Sequence, residues 1–202
     1  MTTATLILIA YLLGSISFAI VASRLFRLPD PRSYGSGNPG ATNVLRTGRK
    51  AAAVVTLMGD AAKGTLAVLI ASYFAEPERV EVTMAAAAVA AVLGHMFPVY
   101  FRFRGGKGVA TALGVLIGLN GWLAAGTALT WIIIAVFFRF SSLAALISAA
   151  FAVFFALILY NPAHPYFIAV CTLAALLVWR HKSNIRNLLA GTEGRLGDSK
   201  GA

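Results

Sequence analysis

Residues 102–112, RFRGGKGVATA, place three cations and three glycines at one point of a chain that is otherwise rich in Ala, Val, Leu, Ile and Phe. Gly105, Gly106 and Gly108 surround Lys107 directly ahead of an apolar segment. A glycine-rich turn at the start of a helix exposes backbone N–H groups and the positive end of the helix dipole, and Lys107 adds a mobile ammonium. The pattern predicts an anion site. The alternative is a cluster of cations that only stops membrane insertion, which would not need the glycines.

A second polar segment, YGSGNPGATNVLRTGR at residues 34–49, contains four glycines, a proline and two asparagines. Such a stretch is not an ordinary helix, and its backbone can expose N–H groups to a bound anion, with Arg46 and Arg49 at the rim. It lacks the pattern of a nucleotide-binding phosphate loop, and no strand precedes it, which argues against a nucleotide site. The alternative is a polar loop that only connects two helices.

A third polar segment, WRHKSNIRNLLAGTEGR, covers residues 179–195. His181, Asn184 and Asn187 recur at helical spacing, so their side chains can face one way. His181 can hold an anion or exchange a proton near neutral pH. The alternative for His181 is a solvated surface histidine.

Asp60 and Lys63 are three positions apart within an apolar segment and share one helix face. Such charges are costly in lipid unless they pair or point into the protein, so we expect a structural pair, with direct substrate contact as the alternative. His95 lies one turn before Pro98, where it can brace the site from below. His164 is expected on the opposite side of the membrane, away from the site.

The polar segments interrupt a chain of 202 residues that is 59% hydrophobic and only 12% charged. Its mean hydropathy of +0.80 exceeds what a soluble domain can bury, so the sequence predicts an all-α, polytopic integral membrane protein. We expect one domain over residues 1–202, with the first apolar segment retained as a helix and residues 196–202 as a disordered tail. The seven candidate spans are 4–23, 51–74, 82–101, 109–119, 121–138, 142–160 and 165–179.

The fourth candidate span, residues 109–119, is short. Its 11 residues give about 16 Å of helix, against a hydrocarbon core of about 30 Å. It is either a short helix buried among its neighbours or half of a re-entrant pair with residues 121–138. Both alternatives return the chain to the side that it left.

The distribution of cations predicts the orientation of the spans. With the N-terminus outside, all of the 17 Lys and Arg residues except Lys63 and Arg79 lie in loops on the cytoplasmic side. The C-terminus is then cytoplasmic, as is the face that carries the three polar segments. Because this bias already produces much of the net charge of +10, the charge does not predict a nucleic-acid partner.

Three segments rich in Gly, Asn and cations at one face of a helical bundle predict a site for one or two phosphate groups. A substrate with a phosphate head and an acyl tail fits, since its tail can stay in the bilayer, and acyl or phosphoryl transfer follows. No pair of His or Cys residues has metal-ligand spacing, and Cys171 is the only cysteine. We therefore expect no metal, no cofactor and no disulfide.

In this order and spacing, GSGNPGATNVLRTGR, GHMFPVYFRFRGGKGVAT and HKSNIRNLLAGTE closely resemble the three motifs of the bacterial acyl-phosphate-dependent glycerol-3-phosphate acyltransferases, the PlsY family. The resemblance covers essentially the whole chain, including MGDAAKG and FSSL. It implies transfer of a fatty acyl group from acyl phosphate to the 1-hydroxyl of glycerol 3-phosphate, giving lysophosphatidic acid and phosphate. It also implies a seven-helix protein of the bacterial inner membrane, which we expect to be a monomer.

The resemblance also implies roles for individual residues. Ser36, Arg46, Lys107 and His181 would hold the oxyanions of the two substrates, with Asn184 orienting the acceptor. Glu193 would pair with a cation or with the glycerol, and Ser141 or Ser142 would reach the site. The residues that would shape the substrate-binding loops are Gly37, Asn38, Gly40, Thr42, Asn43, Gly105, Gly106 and Gly108.

The acyltransferases of this pathway that use soluble donors carry an HxxxxD pair, which is absent here: Tyr100, Ala169 and Arg186 stand five positions after the three histidines. The proton of the attacking hydroxyl therefore goes either to His181 or, as we favour, to an oxygen of the donor's phosphate. A covalent acyl group on Ser36 is a third route. A transporter for small anions or phospholipids would also place cationic loops at a membrane face, but we find no internal repeat, and the outside loops are short.

Overall fold

The computed structural model of the chain describes residues 1–197, and all regular elements among them are helical. The prediction of an all-α protein is confirmed. The α-helices in chain order are α1 Thr3–Gly14, α2 Phe18–Leu25, α3 Ala41–Leu45, α4 Lys50–Phe74, α5 Val80–Met96, α6 Val109–Leu119, α7 Gly121–Phe138, α8 Ser141–Leu159, α9 Pro165–Arg180 and α10 Lys182–Leu189.

Five stretches of the described chain are long and apolar enough to cross a membrane, by length and composition. Helices α6 and α9 are apolar but shorter. The chain is thus an integral membrane protein with several spanning helices, while the count of seven remains a prediction. The five stretches are Thr3–Leu25, Lys50–Phe74, Pro77–Phe101, Gly121–Phe138 and Ser141–Leu159.

The first candidate span is not the single helix that the sequence predicts over 4–23. It breaks between α1 and α2, where the Ser15 hydroxyl donates to the carbonyl of Tyr11 at 2.9 Å. The carbonyl of Ile16, in the break, accepts a hydrogen bond from Lys63 Nζ of α4 at 2.5 Å. A broken helix is tolerated inside a membrane protein when neighbouring groups satisfy its free backbone, as Lys63 does here.

Helices α4 and α5 form the centre of the bundle. Helix α4 packs against α1, α2, α3, α5 and α6, and α5 packs against α1, α6 and α9. Helix α7 packs on α8, and α8 packs on α9. Small residues permit these close approaches: a Cβ atom on Gly14 of α1 would lie 2.1 Å from the carbonyl oxygen of Ala91 in α5.

Asn120 joins α6 to α7 at the far end of the bundle. Its Oδ1 accepts from the N–H of Leu123 at 3.0 Å and so caps α7. Its Nδ2 donates to the hydroxyl of Tyr160 at 2.8 Å, directly after the last residue of α8. The short helix α6 therefore reaches the same end of the bundle as the much longer α8.

Residues 196–202 were expected to form a disordered tail, but the first of them, Leu196, is hydrogen-bonded to the bundle. The N–H of Leu196 donates to the carbonyl of Arg139 at 2.6 Å, and Arg139 Nη2 donates to the carbonyl of Leu196 at 2.9 Å. Leu196 is thus attached to the junction of α7 and α8, contrary to the expectation of disorder there. Residues 198–202 lie outside the described part of the chain.

Candidate active site

A cavity of about 730 Å³ contains residues of all three polar segments in its wall. Its polar end includes Ser36, Asn38, Arg46, Lys107, His181 and Asn184. Its other end lies between apolar side chains of α6, α7, α8 and α9, among them Leu113, Leu116, Trp131, Ala152, Val170 and Leu173. One cavity therefore offers both a cationic compartment and a hydrocarbon-like compartment.

The N-terminal ends of α6, α8 and α10 lie at the polar end of this cavity. Gly108 is the N-cap of α6, and its φ of 85° is a conformation that glycine adopts without strain. Ser141 and Ser142 open α8, and Asn184 lies in the first turn of α10, and all of these residues line the cavity. Free N–H groups and the positive ends of three helix dipoles add to the positive potential of the side chains.

Lys107 and residues of the third segment form a continuous hydrogen-bonded chain. Lys107 Nζ donates to Asn184 Oδ1 at 2.5 Å, and Asn184 Nδ2 donates to Glu193 Oε1 at 2.7 Å. Ser142 Oγ donates to the same carboxylate oxygen at 2.6 Å. Burial lowers the pKa of Lys107 from its ordinary value, and the Glu193 carboxylate opposes that shift.

These contacts change the expected roles of two residues. The amide of Asn184 is engaged at both ends by protein groups, so it positions Lys107 rather than standing free to orient the acceptor. Glu193 accepts hydrogen bonds from the neutral side chains of Ser142 and Asn184. One alternative expected it to pair with a cation, but within residues 1–197 no ion pair of Glu193 is found.

His181 is buried at the junction of α9 and α10, with 2% of its surface exposed. Its Nδ1 lies 2.7 Å from the carbonyl oxygen of Leu177 and must carry the proton that this carbonyl accepts. Burial lowers the pKa of His181 to about 4, so the imidazole is neutral at pH 7. A neutral ring with Nδ1 occupied offers a lone pair at Nε2, which favours a contact with a hydroxyl over the expected contact with an oxyanion.

The first polar segment is held in shape by Asn43, which is 2% exposed. Its Oδ1 accepts the N–H of Ser36 at 3.0 Å, and its Nδ2 donates to the carbonyls of Pro31 at 2.7 Å and Tyr34 at 3.2 Å. The hydroxyls of Thr42 and Ser141 lie 3.0 Å apart and join this segment to α8.

Ser36, Asn38 and Gly40 face the cavity, as does Arg46. The Ser36 hydroxyl has no hydrogen bond to another residue in the range 1–197, so the structure provides no base for a covalent acyl group there. Arg46 extends toward the third segment, since a Cβ atom on Gly194 would lie 3.3 Å from Arg46 Nη2.

Three of the glycines predicted to shape the substrate site do not line this cavity. Gly37 and Gly105 line a neighbouring cavity of about 570 Å³, together with Arg32, Arg102 and Arg104. The N–H of Gly106 is occupied by the carbonyl of His95 at 3.1 Å and is not free for an anion. These three glycines lie outside the wall of the main cavity, and their role in shaping the substrate-binding loops stays a prediction.

Arg180, for which the sequence predicts no role in the site, holds the glycine-rich turn. Its Nη2 donates to the carbonyls of Gly105 and Gly106, both at 2.9 Å, and its Nε donates to Gly106 at 3.1 Å. Its guanidinium also lies 5.7 Å from the ring centre of Phe97. In the sequence Arg180 is one of 17 Lys and Arg residues, and nothing in its spacing distinguishes it from its neighbours.

The predicted pair of Asp60 and Lys63 is present, with 2.7 Å between Lys63 Nζ and Asp60 Oδ1. Asp60 and His95 line the cavity beneath the glycine-rich turn. His164 lies elsewhere, where its Nδ1 accepts the N–H of Tyr166 and caps α9. No group of three or more His, Cys, Asp or Glu residues in the range 1–197 is placed to hold a metal.

Comparisons with known proteins agree with this arrangement. The family described as glycerol-3-phosphate acyltransferase matches residues 4–191. A glycerol-3-phosphate acyltransferase of Janthinobacterium sp. (strain Marseille) is 58% identical over 201 residues, covering 99% of this chain and 100% of that protein. One from Burkholderia ambifaria is 57% identical over 196 residues, covering 96% of this chain and 91% of that protein.

Two crystal structures of PlsY, described as an integral membrane glycerol 3-phosphate acyltransferase, have the same fold at 38% identity. The glycerol 3-phosphate form has a TM-score of 0.89 and covers 96% of both chains. The lysophosphatidic acid form has a TM-score of 0.87 and covers 96% of this chain and 95% of its own. The chain therefore belongs to the glycerol-3-phosphate acyltransferase family and is an integral membrane enzyme.

Proposed function

We propose that the enzyme transfers a fatty acyl group from acyl phosphate to the 1-hydroxyl of glycerol 3-phosphate. The products are lysophosphatidic acid and inorganic phosphate, and the reaction is an acylation step of phospholipid synthesis. No cofactor or metal is needed, because an acyl phosphate is already an activated mixed anhydride.

The observation that carries this proposal is the continuity of the cavity. Its cationic end, around Lys107 and Arg46, suits phosphate groups, whereas its other end lies between apolar helices of the membrane. An acyl phosphate has a phosphate group for the cationic end and an acyl chain for the apolar end. Its reactive carbonyl would lie where the two ends of the cavity meet. A water-soluble thioester of a large carrier would not place its leaving group inside such a pocket.

The cations and helix N-termini act by holding two anions side by side and by stabilising the tetrahedral oxyanion. The oxygen of the acceptor hydroxyl attacks the acyl carbonyl, and the bond from the carbonyl carbon to the phosphate oxygen then breaks. The hydroxyl proton ends on an oxygen of the departing phosphate, so no protein base is consumed. Asn184 keeps the Lys107 ammonium in place through its Oδ1.

His181 accepts a hydrogen bond from the attacking hydroxyl at Nε2 and orients it. A group whose pKa is about 4 is a poor proton acceptor at neutral pH, since general bases work best with a pKa near the working pH. This supports proton transfer to the donor's own phosphate.

We also propose that the enzyme is a monomer of the bacterial inner membrane, folded as one domain. Seven spans, with the N-terminus outside and the C-terminus inside, open the cationic end of the cavity to the cytoplasm. The positive-inside distribution of Lys and Arg supports this orientation.

The proposal is tested with purified protein in detergent, without vesicles. Phosphate release from palmitoyl phosphate that depends on glycerol 3-phosphate, together with the appearance of lysophosphatidic acid, is the expected result. Absence of release under these conditions would contradict the proposal and favour transport. Acylated protein formed with donor alone would instead indicate a covalent route.

A pair of substitutions separates the two cationic cavities. Lys107→Ala removes the ammonium from the site and is expected to lower kcat/KM by about 100-fold or more, as loss of an oxyanion donor does. Arg102→Ala changes a cation of the neighbouring cavity and is expected to leave kcat/KM within about threefold, the size of a screened surface charge effect. Equal losses in both variants would contradict the assignment of the site.

A further inference from the structure

The ammonium of Lys63 is buried in the bundle, and all three of its protons have acceptors. Lys63 is 3% exposed. Its Nζ lies 2.5 Å from the carbonyl oxygen of Ile16, 2.7 Å from Asp60 Oδ1 and 3.0 Å from Nδ1 of His95. The Asp60 carboxylate balances its charge, so the cluster as a whole is neutral.

This arrangement determines which nitrogen of His95 carries the proton. An ammonium donates only, so Nδ1 of His95 must be the acceptor of the contact with Lys63. In the neutral ring the proton then resides on Nε2. Asp60 Oδ1 is farther from Nδ1, at 3.5 Å, than the ammonium is.

The Nε2 edge of His95 lies beneath the glycine-rich turn. A Cβ atom on Gly106 would lie 2.3 Å from His95 Nε2, so this position needs glycine. His95 is only 6% exposed and lines the main cavity. Its Nε2 has no hydrogen bond to any residue in the range 1–197.

A donor that lines a cavity and has no acceptor from the protein is expected to meet a ligand or water there. Lys107 is adjacent to Gly106 in the chain, which places the His95 ring near the anion compartment. We propose that His95 Nε2–H donates a hydrogen bond to an oxyanion of the substrate in this cavity, either a phosphoryl oxygen or the oxygen that becomes charged at the acyl carbonyl. The identity of that substrate rests on the function proposed above.

A neutral donor here has a chemical advantage over a further cation. It can stabilise developing charge without adding to the repulsion among Lys107, Arg46 and Arg180. The roles of the two cavity histidines are then complementary: His95 donates from Nε2 to an anion, whereas His181 accepts at Nε2 from a hydroxyl. For the reaction, Asp60 and Lys63 are positioning residues that act through the His95 tautomer, and Lys63 also bonds to the carbonyl of Ile16.

The first arm of the test is independent of catalysis. The chain has three histidines, so ¹⁵N-histidine labelling of the detergent-solubilised protein gives few resonances, and His95→Gln and His164→Gln assign them. We expect His95 to carry its proton on Nε2 and His181 on Nδ1, and inorganic phosphate to shift the His95 Nε2 resonance. A proton on Nδ1 of His95, or no response to phosphate in a protein that binds it, would overturn the proposal.

The second arm compares two substitutions of His95. His95→Gln keeps an N–H group near the position of Nε2 and should lose less kcat/KM than His95→Leu does. His95→Leu should lower kcat/KM by about 10- to 100-fold, which is the loss of one hydrogen bond to a charged group. His164→Gln, at the start of α9, is the matched control. Equal loss in the Gln and Leu variants, at equal unfolding temperatures, would leave only a packing role.

A rescue experiment tests the role of Lys63. In Lys63→Met the Asp60 carboxylate can accept from Nδ1 of His95, which moves the lone pair to Nε2 at pH values where the ring is neutral, and activity there should fall as in His95→Leu. Adding Asp60→Asn supplies an amide N–H to Nδ1 and should restore the tautomer and most of the activity. No recovery in a double variant that shows the restored tautomer would contradict the proposal.

The outcomes of the two arms remain distinguishable. If Lys63→Met does not fold, the His95 pair and the labelled wild-type protein still decide the question. If the wild-type protein releases no phosphate from acyl phosphate, the proposed function fails, while the tautomer and its response to phosphate still test the binding role of His95.

Discussion

The chemistry of the cavity depends on which nitrogen of each histidine carries a proton. His181 has Nδ1 tied to a backbone carbonyl, and burial keeps the ring neutral down to a pKa of about 4. The lowered pKa of His181 makes the free energy of unfolding depend on pH, whether or not substrate is bound. The unfolded chain takes up a proton at His181 near pH 6.5, whereas the folded chain does so only near pH 4.

We predict that His181→Gln removes part of the loss of stability at acidic pH. Above pH 6.5 both states are neutral at this residue, so it contributes no pH dependence there. As the pH falls toward 4 only the unfolded state binds the proton, which costs the folded state up to about 3 kcal/mol. Thermal unfolding in detergent between pH 4 and 7 should therefore show a shallower decline for the variant. Parallel declines for the two proteins would contradict a buried, neutral His181.

At the scale of residues, the sequence predicts which residues belong to the site better than it predicts which partners their side chains contact. One cavity is lined by Lys107, His181 and Asn184. The Asn184 side chain, however, bonds to Lys107 and is not free to orient the acceptor substrate. Helical spacing predicts which side chains share a helix face. It does not predict which residue of another segment will hydrogen-bond to them. For the same reason the spacing of Asp60 and Lys63 predicts their pair, while the third acceptor, Nδ1 of His95, comes from another helix.

At the scale of elements, the glycine-rich turn depends on α9 for its shape. Arg180 at the end of α9 donates three hydrogen bonds to the carbonyls of Gly105 and Gly106. Without Arg180 those carbonyls would lose these hydrogen bonds. The planar fork of a guanidinium can bridge two carbonyls, and an ammonium cannot do so with the same geometry.

We predict that Arg180→Lys lowers kcat/KM by about 10- to 100-fold, because a displacement of Lys107 by about 1 Å can have such an effect. Because lysine keeps the positive charge, a loss of kcat/KM would come from a changed shape of the turn and not from a changed electrostatic potential. Arg186→Lys in α10, where Arg186 is exposed and lines neither cavity, is the matched control. Unchanged kinetics in Arg180→Lys would show that the turn keeps its shape without the guanidinium.

Element boundaries were predicted well where apolar runs end at Gly, Pro or charge, and less well inside the first span. The break between α1 and α2 lies at Ser15–Ser17, whose serines are compatible with either a helix or a break. What stabilises the break is Lys63 from α4. A contact between segments 47 positions apart leaves no local signal in the sequence.

At the scale of the whole molecule, the short helix α6 follows the irregular backbone of the glycine-rich turn. Arg180 and the carbonyl of His95 hold that turn against the bundle just before α6 begins at Val109. Such backbone is tolerated at membrane depth where it lines a protein cavity. Asn120 then meets Tyr160 at the far end of α8, which supports a short span over a re-entrant pair.

This topology predicts a specific pattern of cysteine accessibility. In a Cys171→Ala background, Glu78→Cys and Gly121→Cys should react with a membrane-impermeant maleimide added to intact spheroplasts, and Arg49→Cys should react only after lysis. Gly121 is exposed and a Cβ atom there meets nothing within 4 Å, so the substitution is tolerated. Labelling of Arg49→Cys from outside would invert the proposed orientation. Protection of Gly121→Cys from both sides, with Glu78→Cys labelled, would place the α6–α7 turn within the bilayer and replace the short span by a re-entrant pair.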